Sequence, residues 1–285
     1  MRFVKGHGTG NDFVVLVDPE RRLDLTPELV RRICDRRRGI GGDGVLRAVL
    51  AATDPEGAPM SDAARWFMDY RNADGSVAEM CGNGIRVFAR FLVDSWFEPA
   101  GELHIATRAG VKMTWVNAAR NVLVNLGRAE LPAVTDANAR IGERSWPVTP
   151  VAMPNPHAVA FVENLADAGD LMTAPVVAPA SAFPDGVNVE FVVVHAADQD
   201  VGHASMRVHE RGVGETDSCG TGAAAAIVAT RRREGGVSPQ TWQLDVPGGT
   251  LIVTELSDGS VELSGPAVLV AEGQLTESWL SQPNG

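Results

Sequence analysis

Two near copies of one motif, Cys81-Gly82-Asn83-Gly84 and Cys219-Gly220-Thr221-Gly222, decide the fold of this 285-residue chain. Each copy opens an apolar stretch with helical character, Ile85 to Trp96 in the first case and Ala223 to Thr230 in the second. Helices that are apolar on all sides are usually enclosed by other elements. The two cysteines are 138 residues apart, and this repeat predicts that the chain contains one structural unit twice.

Other features recur at nearly the same offset on both sides of the motif. A methionine lies thirteen residues before each cysteine, a glycine opens an alternating run after each helix, and a second glycine ends the hairpin that follows. Alternation of this kind is typical of a half-buried strand. The matching pairs are Met68 and Met206, Gly110 and Gly249, and Gly127 and Gly265, which are 138 or 139 residues apart. Agreement at several positions favours duplication over coincidence.

Each copy predicts the same order of elements: strands, a surface helix, more strands, the cysteine helix and a closing hairpin. In the first half, Phe13–Val17 has strand character, and Thr26 followed by Pro27 predicts a helix that runs to about Arg37. The second-half counterparts are the strand Ala158–Val162, the helix Leu165–Met172 and the hairpin of Leu251–Glu255 with Ser260–Ser264.

The predicted fold class is α/β of the α+β type, with two pseudo-symmetric units that arise from internal duplication. Each unit is expected to be a mixed or antiparallel sheet rolled around its central cysteine helix. The expected boundary lies near Ala129–Arg140, a polar stretch that contains Pro and Ala. It gives an N-terminal unit of residues 1–130 with Cys81 and a C-terminal unit of residues 131–285 with Cys219.

Composition narrows the range of partners and locations. The formal net charge of −11 argues against nucleic acid or an anionic membrane as a partner and leaves a small molecule as the expected ligand. The N-terminal residues lack an apolar signal-peptide stretch, and no window approaches eighteen uninterrupted apolar residues. Three cysteines without framework spacing suit a reducing compartment. Together these features predict a cytoplasmic protein that binds no membrane.

A cysteine at the start of a helix is suited to acid–base chemistry. The first turn has N–H groups without helical partners and a partial positive charge, and both favour a thiolate. The position therefore predicts a lowered pKa for Cys81 and Cys219, and a thiol that ionises near neutral pH is an effective proton donor or acceptor. Glycines in the same turn allow a carboxylate to approach the backbone N–H groups closely.

The duplication suggests how two such thiols could act together. If the two helix starts face each other, a carboxylate between them accepts hydrogen bonds from both, and the adjacent carbon lies between two cysteines. One thiolate then removes the proton from this carbon, and the other thiol delivers a proton to the opposite face. The stereocentre is inverted without a metal, a pyridoxal group or another cofactor, because the N–H groups stabilise the developing enediolate charge.

Simpler interpretations of these residues stand beside that hypothesis. A lone Cys-Gly at a helix start is more often structural, and Cys34, within the first surface helix, is interpreted as a small buried apolar residue. A nucleotide-binding loop is disfavoured because no Lys-Ser or Lys-Thr follows either motif. A metal site is disfavoured because His203 and His209 have no partner at ligand spacing.

Further segments complete a pattern that resembles diaminopimelate epimerase over nearly the full length of the chain. The cysteine motifs alone are shared with a wider group that includes proline racemases, whereas the asparagine-containing segments are specific to the diaminopimelate enzymes. Besides the two cysteine motifs, the matching segments are His7–Phe13, Gly39–Gly44, Asn72–Ser76, Pro154–Ala158, Asn188–Phe191 and Glu210–Thr216.

The resemblance implies an activity and a set of site residues. The activity is cofactor-independent epimerisation of LL-2,6-diaminopimelate to its meso form, a step toward lysine and peptidoglycan precursors, by an enzyme that is often a homodimer. Cys81 and Cys219 would be the two bases, supported by His157 and Glu210. The residues implied in substrate binding are Gly82, Asn83, Gly220 and Thr221 at the reacting carboxylate, and Asn72, Asn155, Asn188, Glu210 and Arg211 at the distal amino-acid end, with Asn11 nearby.

The distal residues suit a substrate with a second charged end. Arg211 can bind a carboxylate through two parallel hydrogen bonds, and Glu210 can accept from an ammonium group. A proline racemase would not need these residues, a thiol–disulfide protein would be expected to contain a CxxC motif, and a two-lobed solute-binding protein would gain nothing from paired thiols. For any single asparagine of the three distal ones, a turn or cap role is the commoner alternative.

Two positions depart from the usual pattern of the family. Gly44 stands where many members have glutamine, and the expected consequence is a contact that is missing or made by water. Ser218 replaces the more usual alanine before the second cysteine, and its hydroxyl could bias the proton equilibrium of the neighbouring thiol.

Overall fold

The computed structural model describes residues 1–134, 136–195, 200–235 and 240–281, and the chain divides into two compact units. Unit 1 comprises Met1–Val124 together with the chain from Pro266 onward, and unit 2 comprises Asn125–Gly265. This differs from the expected boundary of 130/131 because the last strand of the chain returns to unit 1. There it pairs with the first strand, and Leu275 packs in the same apolar cluster as Val14 and Val30.

Unit 1 is built mainly of strands. In chain order its elements are β1 (Arg2–Gly8), β2 (Asn11–Val17), α1 (Pro27–Cys34), β3 (Gly44–Leu50), β4 (Trp66–Asn72), α2 (Gly82–Asp94), β5 (Gly101–Thr107), β6 (Gly110–Val116) and β7 (Asn121–Arg128), whose last residues cross into unit 2. Two short 3-10 turns, Ala51–Thr53 and Ala58–Met60, connect β3 to β4. The C-terminal part adds β18 (Val268–Gln274) and the single-turn helix α4 (Glu277–Leu280).

Unit 2 repeats the strand order of this plan and has three additional short strands of three or four residues each. Its elements are β8 (Asn138–Ile141), β9 (Arg144–Met153), β10 (Asn155–Phe161), β11 (Val176–Ala178), β12 (Asn188–Val194), β13 (Val201–Glu210), β14 (Gly214–Thr216), α3 (Gly220–Arg233), β15 (Thr241–Val246), β16 (Gly249–Glu255) and β17 (Ser260–Pro266). The 3-10 turns in this unit are Leu165–Ala168 and Ala180–Ala182.

The strand pairings confirm the duplication. In unit 1, β1 to β7 pair in chain order, with β2–β3 and β4–β5 parallel and the other pairs antiparallel. In unit 2, β9, β10, β12, β13, β15, β16 and β17 pair in the same order with the same directions. Gly110 and Gly249 each begin the second strand of an equivalent hairpin, so unit 2 has one more residue than unit 1 between the cysteine and this point.

The cysteine helices lie at the centres of their units, as the fold prediction requires. α2 packs against β1, β2 and β6, and α3 packs against the equivalent β9, β10 and β16. Because strands from both ends of each pairing series contact the helix, each sheet curls around it. Ala223–Ala229 is fully or almost fully buried, and its small side chains let the surrounding strands approach closely.

Local signals set some helix boundaries correctly and others incorrectly. Thr26 caps α1 as predicted, with its Oγ1 accepting from the Leu29 N–H, but the helix ends at Cys34 rather than near Arg37. The backbone of Asp35 leaves the helical region, and its carboxylate accepts from the N–H groups of Arg37 and Arg38. Cys34 is buried as expected, and burial raises the pKa of its thiol to about 12.

The predicted second-half helix, Leu165–Met172, is wrong in length. Only the 3-10 turn Leu165–Ala168 forms, because Asn164 caps its start and Gly169, at φ 59°, turns the chain away at its end. The other second-half predictions are confirmed: β10 covers most of Ala158–Val162, and β16 and β17 form the hairpin around Gly259. Within the described residues, no helix is both long and apolar enough to cross a membrane.

Candidate active site

Both motif cysteines occupy the N-cap position of their helices. Cys81 has extended backbone angles, φ −138° and ψ 126°, and its Sγ accepts from the Gly84 N–H at 3.4 Å. Cys219 has φ −117° and ψ 116°, and its Sγ accepts from the Gly222 N–H at 3.4 Å. Neither cysteine forms a disulfide. The two thiols are therefore presented by one backbone device that occurs once in each unit.

The first half-site is defined here as Asn11, Cys81, Asn83 and Arg86. The Cys81 thiol donates weakly to the Asn11 Oδ1, at 3.6 Å, and the Asn83 side-chain amide donates to the same oxygen at 3.3 Å. The Asn11 amide nitrogen in turn donates to Asp43 at 2.8 Å, which fixes the direction of the Asn11 carbonyl. Asn11 therefore directly contacts the Cys81 thiol of unit 1.

A fully buried arginine lies behind this half-site. Arg86, in the second turn of α2, donates to the Gly82 carbonyl at 3.3 Å and to the Thr9 hydroxyl at 3.2 Å. Burial lowers the pKa of Arg86 to about 10, while the nearby charge of Cys81 raises it. Arg86 joins the start of α2 to the β1–β2 turn, where Thr9 adopts a positive φ of 49° two residues before Asn11.

The second half-site is defined as Asn155, His157, Glu190, Glu210 and Cys219. His157 and Glu190 are both completely buried, and the His157 Nδ1 lies 2.6 Å from the Glu190 Oε1. The other ring nitrogen, Nε2, lies 3.1 Å from the Asn155 Oδ1. The structure thus brings the predicted pair Asn155 and His157 together and adds Glu190.

Glu210 and Cys219 share an environment that favours their protonated forms. Burial raises the pKa of Glu210, a hydrogen bond from the Thr216 hydroxyl at 2.5 Å lowers it, and the charge of Glu190 raises it again. Burial also raises the pKa of the Cys219 thiol well above its usual range, and Glu210 and Glu190 raise it further. The lowered pKa predicted for Cys219 is therefore wrong: burial and two carboxylates outweigh the helix start.

The predicted distal residues hold backbone structure as well as exposing polar groups. Asn188 accepts from the Arg211 N–H at 2.8 Å, and the exposed Arg211 guanidinium donates to the Asp185 carbonyl at 2.6 Å. Asn72 in unit 1 donates to the Ser76 hydroxyl at 3.0 Å, within the turn that follows β4. Gly82, Asn83 and Gly220 are buried in the first helical turns, and the Thr221 hydroxyl lies 3.5 Å from the Cys219 Sγ.

Gly44 and Ser218 are the two departures from the family pattern. A side chain at Gly44 would place its Cβ 2.6 Å from the Arg71 carbonyl and 2.7 Å from the Tyr70 ring. Backbone and the Tyr70 ring therefore leave no room for a side chain at this position, and the expected missing or water-mediated contact remains a prediction. Ser218 is buried, and its effect on the thiol remains a prediction.

The strand pairings reveal which residues correspond between the half-sites. Phe13 pairs with Gly44 across the parallel β2–β3 register, and His157 pairs with Asn188 across the equivalent β10–β12 register. The same registers align Leu46 with Glu190. The Cβ contacts of the next glycine agree, since Gly84 faces Phe13 and Leu46 whereas Gly222 faces Glu190. An apolar pair in unit 1 thus takes the place of the buried, hydrogen-bonded pair His157 and Glu190 in unit 2.

Two residues of these half-sites, Glu190 and Arg86, were not singled out from the sequence. Glu190 is the one charged residue of the strand Asn188–Val194, and Arg86 lies among apolar residues in the first half of the helix Gly82–Asp94. A charge in such a setting is the available signal, because it must be buried and partnered. Across the described residues, no group of three or more His, Cys, Asp or Glu side chains is arranged to hold a metal ion.

Solved structures define the fold class. A phenazine biosynthesis protein of the PhzF family from Bacillus anthracis matches with a TM-score of 0.70 at 14% identity, covering 97% of this chain and 99% of its own. A hydroxyproline epimerase from Agrobacterium vitis matches with a TM-score of 0.65 at 16% identity, covering 96% and 91%. The chain therefore has the two-unit fold that these proteins share, and identities this low establish the fold alone.

Sequence comparison identifies the particular family. The profile described as Diaminopimelate epimerase matches residues 3–132 and 149–270. The diaminopimelate epimerase of Streptomyces coelicolor is 56% identical over 283 residues, covering 98% of this chain and 96% of its own length. That of Mycolicibacterium paratuberculosis is 45% identical over 302 residues, covering 99% of both. The chain belongs to the diaminopimelate epimerase family, a family of isomerases.

Proposed function

We propose that this protein catalyses the reversible epimerisation of one α-carbon of 2,6-diaminopimelate, between the LL and meso forms, in the biosynthesis of lysine and peptidoglycan precursors. The observation that carries the proposal is an N-cap cysteine repeated at equivalent positions of the two units, in a chain that belongs to this family. Relatives that bear this name and match over nearly their full lengths support the choice of substrate.

The proposed mechanism uses Cys81 and Cys219 on opposite faces of the reacting carbon. One cysteine, as thiolate, takes the α-proton, and the electron pair of the broken C–H bond moves into the adjacent carboxylate to form an enediolate. The other cysteine, as thiol, then donates its proton to the opposite face. The N–H groups of Gly82, Asn83, Gly220 and Thr221, in helical first turns, hold the carboxylate and stabilise the additional charge.

His157 and Glu210 support the acid–base chemistry of Cys219 in this proposal. Glu210 is close enough to share a hydrogen bond with the Cys219 side chain, so it can accept the thiol proton when a thiolate is required. Asn11 has the corresponding contact with Cys81, but its amide cannot take a proton. The two half-sites therefore reach their ionised forms by different routes.

Substrate selection is assigned to the distal polar residues. Backbone N–H groups recognise only a carboxylate, which every amino acid offers. A short amino acid would leave Arg211 and the side chains of Asn72, Asn155 and Asn188 without substrate partners. A hydrogen bond to a charged group contributes about 1.5–3 kcal/mol, so the absence of these contacts discriminates against simple amino acids.

The reaction as proposed requires no cofactor, nucleic acid or membrane. Charge stabilisation by helical N–H groups replaces the electron sink that pyridoxal chemistry would supply. A cytoplasmic location and a homodimeric state belong to the same proposal, and they follow from the cysteine content and from the family resemblance. Activity is expected to survive dialysis against a chelator when the assay contains a reducing agent.

A substrate comparison tests the proposal. Wild-type protein is assayed with LL-diaminopimelate, proline and alanine at equal concentration, and only diaminopimelate should be epimerised at a substantial rate. Comparable turnover of proline would overturn the assignment in favour of a proline racemase activity. The Cys34→Ala variant serves as a matched control and should retain full activity, because Cys34 is buried in the α1 cluster of unit 1.

A further inference from the structure

His157 and Glu190 form a contact in the second half-site that is completely shielded from solvent. Both side chains have no exposed surface, and the two atoms that meet are 2.6 Å apart. A carboxylate accepts but does not donate, so an ionised Glu190 accepts a proton from the His157 Nδ1, and the Asn155 Oδ1 that faces Nε2 is an acceptor as well. The second Glu190 oxygen, Oε2, has no hydrogen-bond partner among the described residues. Glu190 is therefore a buried carboxyl group whose hydrogen-bond partner among the described residues is His157.

The duplicated unit shows that the fold does not need this pair. At the equivalent positions unit 1 has Phe13 and Leu46, both completely buried, around the same kind of cysteine helix. A buried ion pair is weak evidence for stability, because well-packed apolar residues often serve equally well. Unit 1 has apolar side chains at these positions and folds in the same way. The pair His157 and Glu190 in unit 2 therefore calls for a functional explanation.

The pair lies directly beneath the start of the Cys219 helix. A Cβ built on Gly222 would lie 2.7 Å from the Glu190 Oε1 and 3.3 Å from the Cys219 Sγ, so the carboxylate and the thiol flank the same glycine. This arrangement requires glycine at 222. It also places the negative charge of Glu190 close to the atom that must gain and lose a proton.

We propose that Glu190 is a positioning residue for the reaction: it accepts a hydrogen bond from the His157 Nδ1, which fixes the ring beside Asn155, and it places a carboxylate next to the Gly222 turn that presents the Cys219 thiol. The inference deepens the proposed function, because it assigns one more residue to the Cys219 acid–base group. Glu190 acts through His157 and Cys219 and is not expected to touch the substrate.

Several other titratable groups lie near Cys219. Glu210 on β13 belongs to the half-site, and Asp217 is an exposed residue two positions before the cysteine. Glu215 on β14 is paired with Arg207, the His209 Nδ1 on β13 donates to the Leu171 carbonyl, and Arg211 extends to the Asp185 carbonyl. Among the elements packed around this thiol, Glu190 and Glu210 are the charges that raise its pKa, after burial.

The test measures thiol ionisation without requiring turnover. The rate of alkylation by iodoacetamide is followed against pH at each cysteine by peptide mass spectrometry, in wild type and in Glu190→Gln. Glutamine keeps the volume and can still accept from the His157 Nδ1, but it removes the charge. The midpoint for Cys219 should move to lower pH by about one unit, while the midpoint for Cys81 in the same molecules should not move. Glu215→Gln, which removes a partnered carboxylate of the same unit, should leave both midpoints unchanged.

A second readout examines the ring itself. In wild type, the ¹⁵N shifts of the His157 ring should show a proton on Nδ1; Glu190→Gln should retain it and Glu190→Leu should lose it. The pH profile of kcat/KM should shift in its Cys219 limb alone. An unchanged Cys219 midpoint in Glu190→Gln, or a wild-type ring protonated only on Nε2, would overturn the proposal. If thiol titrations behave as expected but diaminopimelate is not epimerised, the proposed function fails and this assignment stands.

Discussion

The two half-sites share the position and backbone contact of their cysteines but differ in the residues that surround the thiols. Cys81 and Cys219 cap equivalent helices, and each accepts from the N–H three residues later at the same distance of 3.4 Å. Beneath the first helix lie Phe13 and Leu46, whereas beneath the second lie His157 and Glu190. The comparison teaches that duplication set the placement of the thiols, and that later divergence set the chemistry around each of them.

The divergence extends to the contacts of the thiols. Cys81 meets the neutral amide of Asn11, and the buried charge nearest its helix start is the cation Arg86. Cys219 is surrounded by the carboxylates of Glu210 and Glu190, and burial together with these charges raises the pKa of its thiol. A symmetric framework therefore carries an asymmetric distribution of charge, which an enzyme interconverting two different stereoisomers can use.

The largest expected effect comes from removing either thiol. Cys81→Ala and Cys219→Ala should each reduce epimerisation by about 10³-fold or more, because each variant lacks one member of the acid–base pair. Circular dichroism should show an intact fold in both, since each cysteine is only an N-cap. Activity within tenfold of wild type in either variant would contradict the equivalence of the half-sites.

The next effect concerns a residue that only unit 2 supplies. Arg211→Met should lower kcat/KM for diaminopimelate by about 2–3 kcal/mol, the value of a hydrogen-bonded charge, and should not create alanine or proline racemase activity. Arg144→Met is the matched control, because Arg144 is an exposed arginine of the same unit that pairs with Asp167. Equal losses in the two variants would remove Arg211 from the site.

Matched substitutions of Gly84 and Gly222 test the packing beneath the first helical turn of each half-site. Gly222→Ala places its Cβ 2.7 Å from the Glu190 carboxylate and should destabilise the protein by about 1–3 kcal/mol. Gly84→Ala meets Leu46 and Phe13 at 3.4 Å, an ordinary contact, and should change stability by less than about 1 kcal/mol. Urea unfolding of both variants measures the difference, and a larger effect at Gly84 would refute the structural comparison.

The smallest expected effect is a difference in how the units respond to pH. Burial of the Asp12 carboxyl group raises its pKa, but hydrogen bonds from Arg36 and Lys5 outweigh burial and hold the pKa well below its usual range. The contribution of Asp12 to stability is therefore lost as the pH falls below about 4. Burial raises the pKa of Glu210, so its contribution is present below about 4 and is lost as the pH rises through the raised value.

Two variants isolate these contributions in urea midpoints measured across pH. Asp12→Asn should flatten the acid side of the stability profile, and Glu210→Gln should flatten the part above the ordinary pKa of a glutamate. Each variant is the control for the other, because the two carboxyl groups belong to different units. A steeper fall of stability with acid in Asp12→Asn would show that the sign assigned to Asp12 is wrong.

The sequence alone was sufficient for the features that repeat. The cysteine motifs, their common offset and the Thr26 cap are local patterns, and the structure confirms the helices and hairpins that they predict. Features that depend on distant partners were missed. The pairing of β18 with β1 joins the two ends of the chain, and no local pattern in Val268–Gln274 indicates which strand it will meet.

The residues of the half-sites also divide into those that a local pattern predicts and those that only tertiary structure brings together. The predicted Asn155 and His157 do meet, but the partner on the other ring nitrogen, Glu190, is brought there by the parallel register of β10 and β12. The pKa of Cys219 was misjudged because the helix start is visible in the sequence, whereas burial and the approach of two carboxylates are products of tertiary structure. Similarly, the glycine at position 44 is explained by the Arg71 carbonyl and the Tyr70 ring of the neighbouring strand.

The central claim is that the two half-sites act on one carbon, each from its own side. Early-time epimerisation in D₂O, followed in both directions, tests it most directly. With two bases, the product formed first should carry deuterium at the inverted carbon, because its proton comes from a solvent-exchanged thiol, while unreacted substrate retains hydrogen. Product that retains the substrate hydrogen, or substrate that gains deuterium before product accumulates, would show a single base and contradict the account.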